Sequence, residues 1–292
     1  MAPTYRQYYE EEVEKIILES ISRLDAPDEL KESMSYSIKA GGKRFRPALV
    51  FAVLEDFSVP LEQGLKTAAA VEMIHTYSLI HDDLPSMDND TLRRGQPTNH
   101  VVFGEAMAIL SGDALLTQAF SLICNDAALA PSTRLKIIHL LSEAAGPSGM
   151  IAGQVRDMAA EKTPVDFKGL KKIHHDKTGR LIEFCVTAGA IIAGVDELSL
   201  ADLQTYSRHL GLAFQIKDDI LDIEGTAEVL GKTPGKDMAN QKSTYTSLLG
   251  LDRAKVFLEE ELNASLMSLN ETRGSGVNKL ASLIDLIRER KN

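Results

Sequence analysis

Residues 61–82 read LEQGLKTAAAVEMIHTYSLIHD. Apolar side chains recur three and four apart, so that Leu65, Ala69, Met73, Tyr77 and Ile80 form one seam. That is the period of an α-helix with a buried face. Glu72, His75 and Asp82 form a polar stripe along another face. A helix apolar enough to be central, yet carrying polar groups at helical spacing, is expected to line an interior cavity.

Outward from this stretch the same period recurs over roughly 3–24, 28–40, 43–57, 104–125, 132–146, 148–161, 166–195, 199–223, 243–269 and 276–290. Between these runs lie Pro27, Pro60, Pro97, Pro131, Pro147, Pro164 and the stretch Gly231 to Gly235, all helix breakers. No segment shows strand alternation, and no hairpin dipeptide joins two β-rich runs. No Gly/Ser-rich linker divides the chain and no fixed-period repeat is visible. The expectation is an all-α fold, one domain over residues 1–292, with ten or more helices.

Composition bounds the function. The 292 residues carry a net charge of −10, which argues against a nucleic-acid binder, because a phosphate backbone needs a basic footprint. Cys124 and Cys185 are the only cysteines, too few for a disulfide framework or zinc-ligand spacing. Tyr5 to Lys15 is polar and acidic, unlike a signal peptide, and the apolar run Phe184 to Val195 is too short to span a bilayer. The expected protein is soluble and cytoplasmic.

Two acidic clusters stand out: His81-Asp82-Asp83-Leu84-Pro85-Ser86-Met87-Asp88-Asn89-Asp90 and Lys217-Asp218-Asp219-Ile220-Leu221-Asp222. In the second, Asp218 and Asp222 are four apart and project from one helix face. Like charges there destabilise an exposed helix by roughly 0.2–0.5 kcal/mol per pair, so a neutralising partner is expected. In the first, Asp82 and Asp88 are six apart, and a straight helix would separate them. Pro85 cannot donate to the carbonyl of residue 81, so the helix ends or bends there and Asp88 can return beside Asp82. Each cluster alone is also consistent with a solvated charged patch. Both, however, follow strongly apolar helices, where carboxylates are expensive unless paired or metal-bound. Oxygen-only ligands suit a hard ion such as magnesium, which takes one or two carboxylates plus phosphate oxygens.

An anionic phosphate would also need cations. Gly41-Gly42-Lys43-Arg44-Phe45-Arg46-Pro47 places Lys43 and Arg46 near a helix start, where backbone amides attract anions. Arg93 and Arg94 follow the first acidic cluster, and Lys177-Thr178-Gly179, Lys232 and Lys242 form a third set. Each set alone is an ordinary surface feature. The joint pattern of two aspartate clusters and three basic sets is hard to produce by chance.

With these residues in view, the sequence resembles the trans-polyprenyl diphosphate synthases along nearly its whole length, most of all the bacterial farnesyl type. The segments that carry the resemblance are 41–47, 72–88, Leu92 to Gly95, Leu110 to Asp113, Gly153 to Asp157, Lys177 to Gly179, Phe214 to Asp222, and Gly231 to Thr244. The resemblance implies an isoprenoid synthase fold, a helical bundle around a central cavity, in a homodimer. It implies three Mg²⁺ ions, with Mn²⁺ as a substitute. Asp82 and Asp88 would bind metal on one wall of the cavity, and Asp218, supported by Asp219 and Asp222, on the other. The allylic diphosphate would sit between them with Arg93, Lys177, Lys232 and Lys242 as further partners. Isopentenyl diphosphate would be held without metal by Lys43, Arg46, His75 and Arg94. Thr178 and Gln215 would face the allylic cation, and the released diphosphate, rather than any side chain, would take the proton. His75 taken alone reads as a helix-face histidine bonded to backbone.

Product length is expected to follow from Tyr77, the fifth residue before Asp82. An aromatic there resembles the fifteen-carbon enzymes, with small Ser78 beside it. One helical turn is about 5.4 Å, comparable to one isoprene unit, so a side chain one turn below Asp82 can cap growth. Geranyl or geranylgeranyl product remains the alternative. Asn89 and Thr91 stand where many relatives have aspartates, and Pro234 and Lys236 alter a loop that closes over the diphosphate. A terpene cyclase or a non-catalytic partner subunit are the rival readings. Retention of the second aspartate motif together with Lys43 and Arg46 speaks against both.

Overall fold

Helix follows the apolar periodicity along nearly all of the chain that the computed structural model describes, residues 5–224, 243–271 and 278–290. In order come α1 (Tyr5–Ser22), α2 (Asp28–Lys39), α3 (Phe45–Asp56), a 3₁₀ turn at Leu61–Gln63 and α4 (Leu65–Asp82). Then follow β1 (Leu92–Arg93), β2 (Gln96–Pro97), α5 (Asn99–Phe103), α6 (Glu105–Cys124) and α7 (Pro131–Ala145). Next are α8 (Met150–Lys162), α9 (Phe167–His174), a single π-helical turn at His175–Gly179, α10 (Arg180–Ala193) and α11 (Glu197–Glu224). The described chain closes with α12 (Tyr245–Leu249), α13 (Leu251–Glu271) and α14 (Asn278–Glu289). The expected all-α fold is what the chain adopts.

Two compact units divide the chain. The first holds residues 1–51 and 60–138, the second 52–59 and 139–292. In the first, α4 packs against α1, α2 and α6. Residues 67–74 of α4 are buried in unbroken succession, so its first turns are enclosed all round rather than along one seam. Gly112 lets α6 approach closely, since a Cβ there would lie 2.1 Å from His81 Nε2. Ser111 donates to Ser33 (2.6 Å) and Ser33 to Asn99 Oδ1 (3.0 Å), a buried polar chain joining α6, α2 and α5. Such a network is stabilising only when its members are satisfied, as these are. By length and composition α6 is the one described helix apolar enough to cross a bilayer, but it carries this buried network at its centre.

The second unit is built around α11, which packs against α10, α12, α13 and α14. Tyr206 of α11 is fully buried and donates to the Leu280 carbonyl (2.9 Å), tying α14 to the core. Asp56 accepts from the amides of Lys279 (2.9 Å) and Leu280 (3.0 Å), filling orphan donors at the start of α14.

Two expectations are corrected. A short antiparallel pair, Leu92↔Pro97 and Arg93↔Gln96, does exist. It turns on Arg94 (φ 54°) and Gly95 (φ 75°), the left-handed pair a tight hairpin requires. Its arms are too short to show alternation. Secondly, the helix expected over 166–195 is not α throughout, because a π-turn inserts an extra residue between α9 and α10.

Candidate active site

In the first unit α4 ends at Asp82, ahead of Pro85. The chain then folds back: Asp88 N donates to Asp82 O (2.9 Å) and Asn89 N to Leu84 O (3.1 Å), with Asn89 at φ 51°. The two aspartates that a straight helix would separate are therefore adjacent. Asp82 is half-buried and Asp88 exposed. Asp83, between them, points inward. It is 3% exposed and grips Arg93 through Nε (2.9 Å to each oxygen) and Nη2 (2.6 Å). Burial pushes its carboxyl above the ordinary range, while Arg93 acts against that shift. This bidentate pair is the strong form of a charge-assisted bond. Asp83 was not among the sequence candidates; its adjacency to Asp82 hid a separate task.

The cations of this unit gather around His75. Gly41 (φ 79°), Gly42 (φ 143°) and Arg44 (φ 46°) form a left-handed bend. The positive φ favours glycine at Gly42, which also lets the Arg94 guanidinium come close: a Cβ there would lie 2.6 Å from it. Arg44, 4% exposed, is turned inward and pairs with Glu72 (2.6 Å) and Glu14 (3.1 Å). Glu72, expected on a cavity-facing stripe, is thus a buried counter-ion. Lys43 and Arg94 remain exposed and Arg46 half-buried. Burial, and then Arg46, Arg94, Arg93 and Arg44, hold the His75 imidazole well below its ordinary pKa, so it is neutral at pH 7. The arginines around His75 concentrate positive charge, the field an anion site needs. A pocket of about 30 Å³ among Tyr36, Asp83, Arg93 and Arg94 has room only for water.

Tyr77 lies one turn below Asp82, 5% exposed, with its ring edge-on to His81 (centroids 5.7 Å apart). Its hydroxyl is buried with no hydrogen-bond partner among the described residues. Burial, and then Asp82, push its pKa up to about 12. Ser78 donates to the His75 carbonyl (2.9 Å).

In the second unit the acidic end stays helical. Asp218 is half-buried, while Asp219 (8% exposed) and Asp222 (6% exposed) are buried. Asp219 Oδ2 accepts the Tyr245 amide (2.7 Å) at the start of α12. Thr178 donates to Gln215 Oε1 (3.2 Å), and Gln215 Nε2 donates to Asp218 Oδ2 (3.0 Å), so three predicted site residues form one chain. Lys177 pairs with Asp157 of α8 (2.7 Å). Asp218 Oδ1 lies 2.6 Å from Arg290, whose guanidinium also sits 4.6 Å from the centre of the Phe214 ring. Lys217 donates to the Arg288 carbonyl (2.9 Å), holding the end of α14 against this acidic face. The basic tail, of no evident role in the sequence, supplies the counter-charge that Asp218 needs. Lys232 and Lys242, with the loop carrying Pro234 and Lys236, lie outside the described residues.

Among the described residues no three His, Cys, Asp or Glu side chains converge as a ready metal cage. Magnesium does not need one, since it keeps waters and shares phosphate oxygens with one or two carboxylates. The oxygen-only donors at both acidic ends fit that chemistry.

Residues 27–285 match the polyprenyl synthetase family. The chain belongs to that family. It is 50% identical over 280 residues to farnesyl diphosphate synthase of Geobacillus stearothermophilus, covering 95% of this chain and 94% of the relative. Among solved structures, a Zymomonas mobilis FPP/GFPP synthase superposes with a TM-score of 0.86 at 38% identity, covering 96% of each chain. A Helicobacter pylori geranyltransferase, solved with magnesium and isoprenyl diphosphate, superposes at 0.82 with 34% identity, covering 99% of this chain and 97% of that one. Membership of the polyprenyl synthetase family thus accounts for the all-α fold.

Proposed function

We propose that this chain is a prenyltransferase that condenses isopentenyl diphosphate with dimethylallyl and then geranyl diphosphate, giving (2E,6E)-farnesyl diphosphate. One observation carries the reading: each unit combines an oxygen-only acidic helix end with its own cations, Arg93 beside Asp82 and Lys177 on the turn linked to Asp218. Paired acidic and basic groups of this kind suit one metal-bound diphosphate, and the separate cations Lys43, Arg46 and Arg94 suit a second.

In this reading Asp82, Asp88 and Asp218, with Asp219 and Asp222 in support, take magnesium, three ions in number, with manganese able to substitute. When bound, the metal supplies positive charge to the departing diphosphate. The chain's own groups do the rest. Arg93 and Lys177, with Lys232 and Lys242, hold the allylic diphosphate. Lys43, Arg46, Arg94 and neutral His75 hold isopentenyl diphosphate. Preorganised cations stabilise charge that develops as the carbon–oxygen bond breaks. The hydroxyl of Thr178 and the amide of Gln215 present oxygen dipoles to the allylic cation. The double bond of isopentenyl diphosphate then attacks, and the released diphosphate takes the proton; no side chain is assigned as base. Tyr77 closes the floor of the chain pocket and Ser78 leaves it room.

The exposed Ile109 and Leu110 of α6 support a homodimer, and water-soluble substrates support a cytoplasmic location. Incubation with isopentenyl and dimethylallyl diphosphates plus Mg²⁺ should give a fifteen-carbon diphosphate. Diphosphate release without chain growth would instead identify a cyclase, and no turnover a partner subunit.

A further inference from the structure

The π-helical turn that carries Lys177 and Thr178 is attached to α8 in an unusual way. Arg156 and Asp157 are neighbours on α8, and Asp176 and Lys177 are neighbours on the turn. Arg156 pairs with Asp176 (2.5 Å) and Asp157 with Lys177 (2.7 Å), so two ion pairs of opposite polarity lie side by side. Gly153 sets how close the two elements come. A Cβ there would lie 2.2 Å from the Lys177 nitrogen and 2.5 Å from its Cα.

Asp176 is the odd member. It has 0% exposure, whereas its partners are open to solvent: Arg156, Lys172 (2.8 Å) and Arg180 (3.9 Å). A fully buried carboxylate persists only if it is paired, and its pairing fixes the backbone that bears it. Here that backbone is the extra residue's turn. A π-turn strains the regular helical ladder, and such turns collect at functional sites. The next two residues are Lys177, held by Asp157, and Thr178, which reaches Gln215 and through it Asp218. Sliding the turn by one residue would put Asp157 opposite Asp176, carboxylate against carboxylate. The alternating polarity therefore selects one register.

We propose that Asp176, clamped by Arg156, is a positioning residue that sets the register of the π-turn on α8 and so presents Lys177 and Thr178 to the allylic diphosphate. The proposal rests on the assignment of Lys177 and Thr178 made above, and it adds two residues that do not touch the substrate.

The test uses Asp176→Asn, Arg156→Met and Arg156→Lys in the full chain, with Lys177→Ala alongside. Lys172 and Arg180 still neutralise Asp176 when exposed Arg156 is replaced, so the Arg156 variants test the clamp if Asp176→Asn does not fold. Asp176→Asn and Arg156→Met should raise KM for the allylic diphosphate about tenfold, the scale on which a supporting shell acts. KM for isopentenyl diphosphate should stay within about twofold, and Arg156→Lys should restore most of the loss. Calorimetric binding of a non-ionising allylic thiodiphosphate should weaken by the same factor. The double variant should be no worse than the poorer single, because both act through one clamp. Lowered melting temperature with unchanged allylic KM and affinity would make the pair merely structural and overturn the proposal. If Lys177→Ala raises allylic KM while the clamp variants do not, the clamp alone is wrong. If Lys177→Ala also leaves it unchanged, the assignment of Lys177 fails and the clamp with it.

Discussion

The two acidic ends share a composition but not a construction. The first is a helix end that Pro85 breaks, wrapped back by backbone bonds so that Asp88 meets Asp82. The second is unbroken helix, with Asp218 and Asp222 on one face. Both nevertheless divide labour in the same way. The first aspartate of each, Asp82 or Asp218, is half-accessible, and the next, Asp83 or Asp219, is buried and committed. Asp83 holds a side chain, Arg93, whereas Asp219 holds a backbone amide, Tyr245. Adjacent carboxylates therefore divide into one accessible group, the proposed ligand, and one buried post, and the identity of the post's partner distinguishes the two ends.

Loss of a ligand should have the largest effect. Asp82→Ala or Asp218→Ala should lower turnover by about 10²–10³ or more, the scale of removing one preorganised electrostatic group, with circular dichroism unchanged. Near-normal turnover in both would break the parallel between the two ends. The next largest effect concerns what lies beneath. Five residues before Asp82 stands buried Tyr77, and five before Asp218 stands buried Ala213. Only the first end thus has a bulky floor. Tyr77→Ala should give products longer than fifteen carbons on chromatography. Tyr77→Phe should keep the product and the melting temperature, because the hydroxyl it removes has no hydrogen bond to lose. An unchanged product from Tyr77→Ala would remove Tyr77 as the floor.

Smaller effects should separate the two posts. Asp83→Asn weakens the grip on Arg93, so KM for the allylic diphosphate should rise severalfold with little change in stability. Asp219→Asn weakens a bond to the backbone, so it should lower unfolding free energy by about 1–3 kcal/mol, measured by denaturant titration. If the two variants show the same split between KM and stability, the posts do not differ as described.

The helices, the acidic ends and the fold-back at Pro85 were legible because each follows from a local rule: apolar period, residue type, a missing donor. Position within the core was not legible. Glu72 read as a cavity-facing group, yet it and Arg44 neutralise each other in the interior, since sequence shows charge but not its partner. The π-turn at His175–Gly179 was invisible because one extra residue barely disturbs a helical period over thirty positions. Gly153, quoted only as part of a matching segment, turns out to be the contact that seats this turn. Asp83 and Asp176 were missed for a common reason. A carboxylate beside a functional residue reads as more of the same, and only burial reveals its separate task.

The smallest expected effect tests the cation cluster of the first unit. Burial, and then Arg46, Arg94, Arg93 and Arg44, keep His75 neutral and lower its pKa in the folded chain. In the unfolded chain the same imidazole titrates near 6.5. Above that pH neither state holds the proton, and the cluster contributes its full stability. As pH falls below about 6.5, the unfolded chain takes up a proton that the folded chain refuses, so stability declines toward the folded pKa. The slope from one proton is at most about 1.4 kcal/mol per pH unit. Asp83, whose pKa is raised by burial, acts in the opposite sense and only in the more acidic carboxylate range. Denaturant titration from pH 7.5 to 5.5 should therefore show a steeper loss for the wild-type chain than for His75→Gln. Equal slopes would mean that the arginines around His75 do not act on it as a group. The first unit would then lack the concentrated positive field on which its anion site depends.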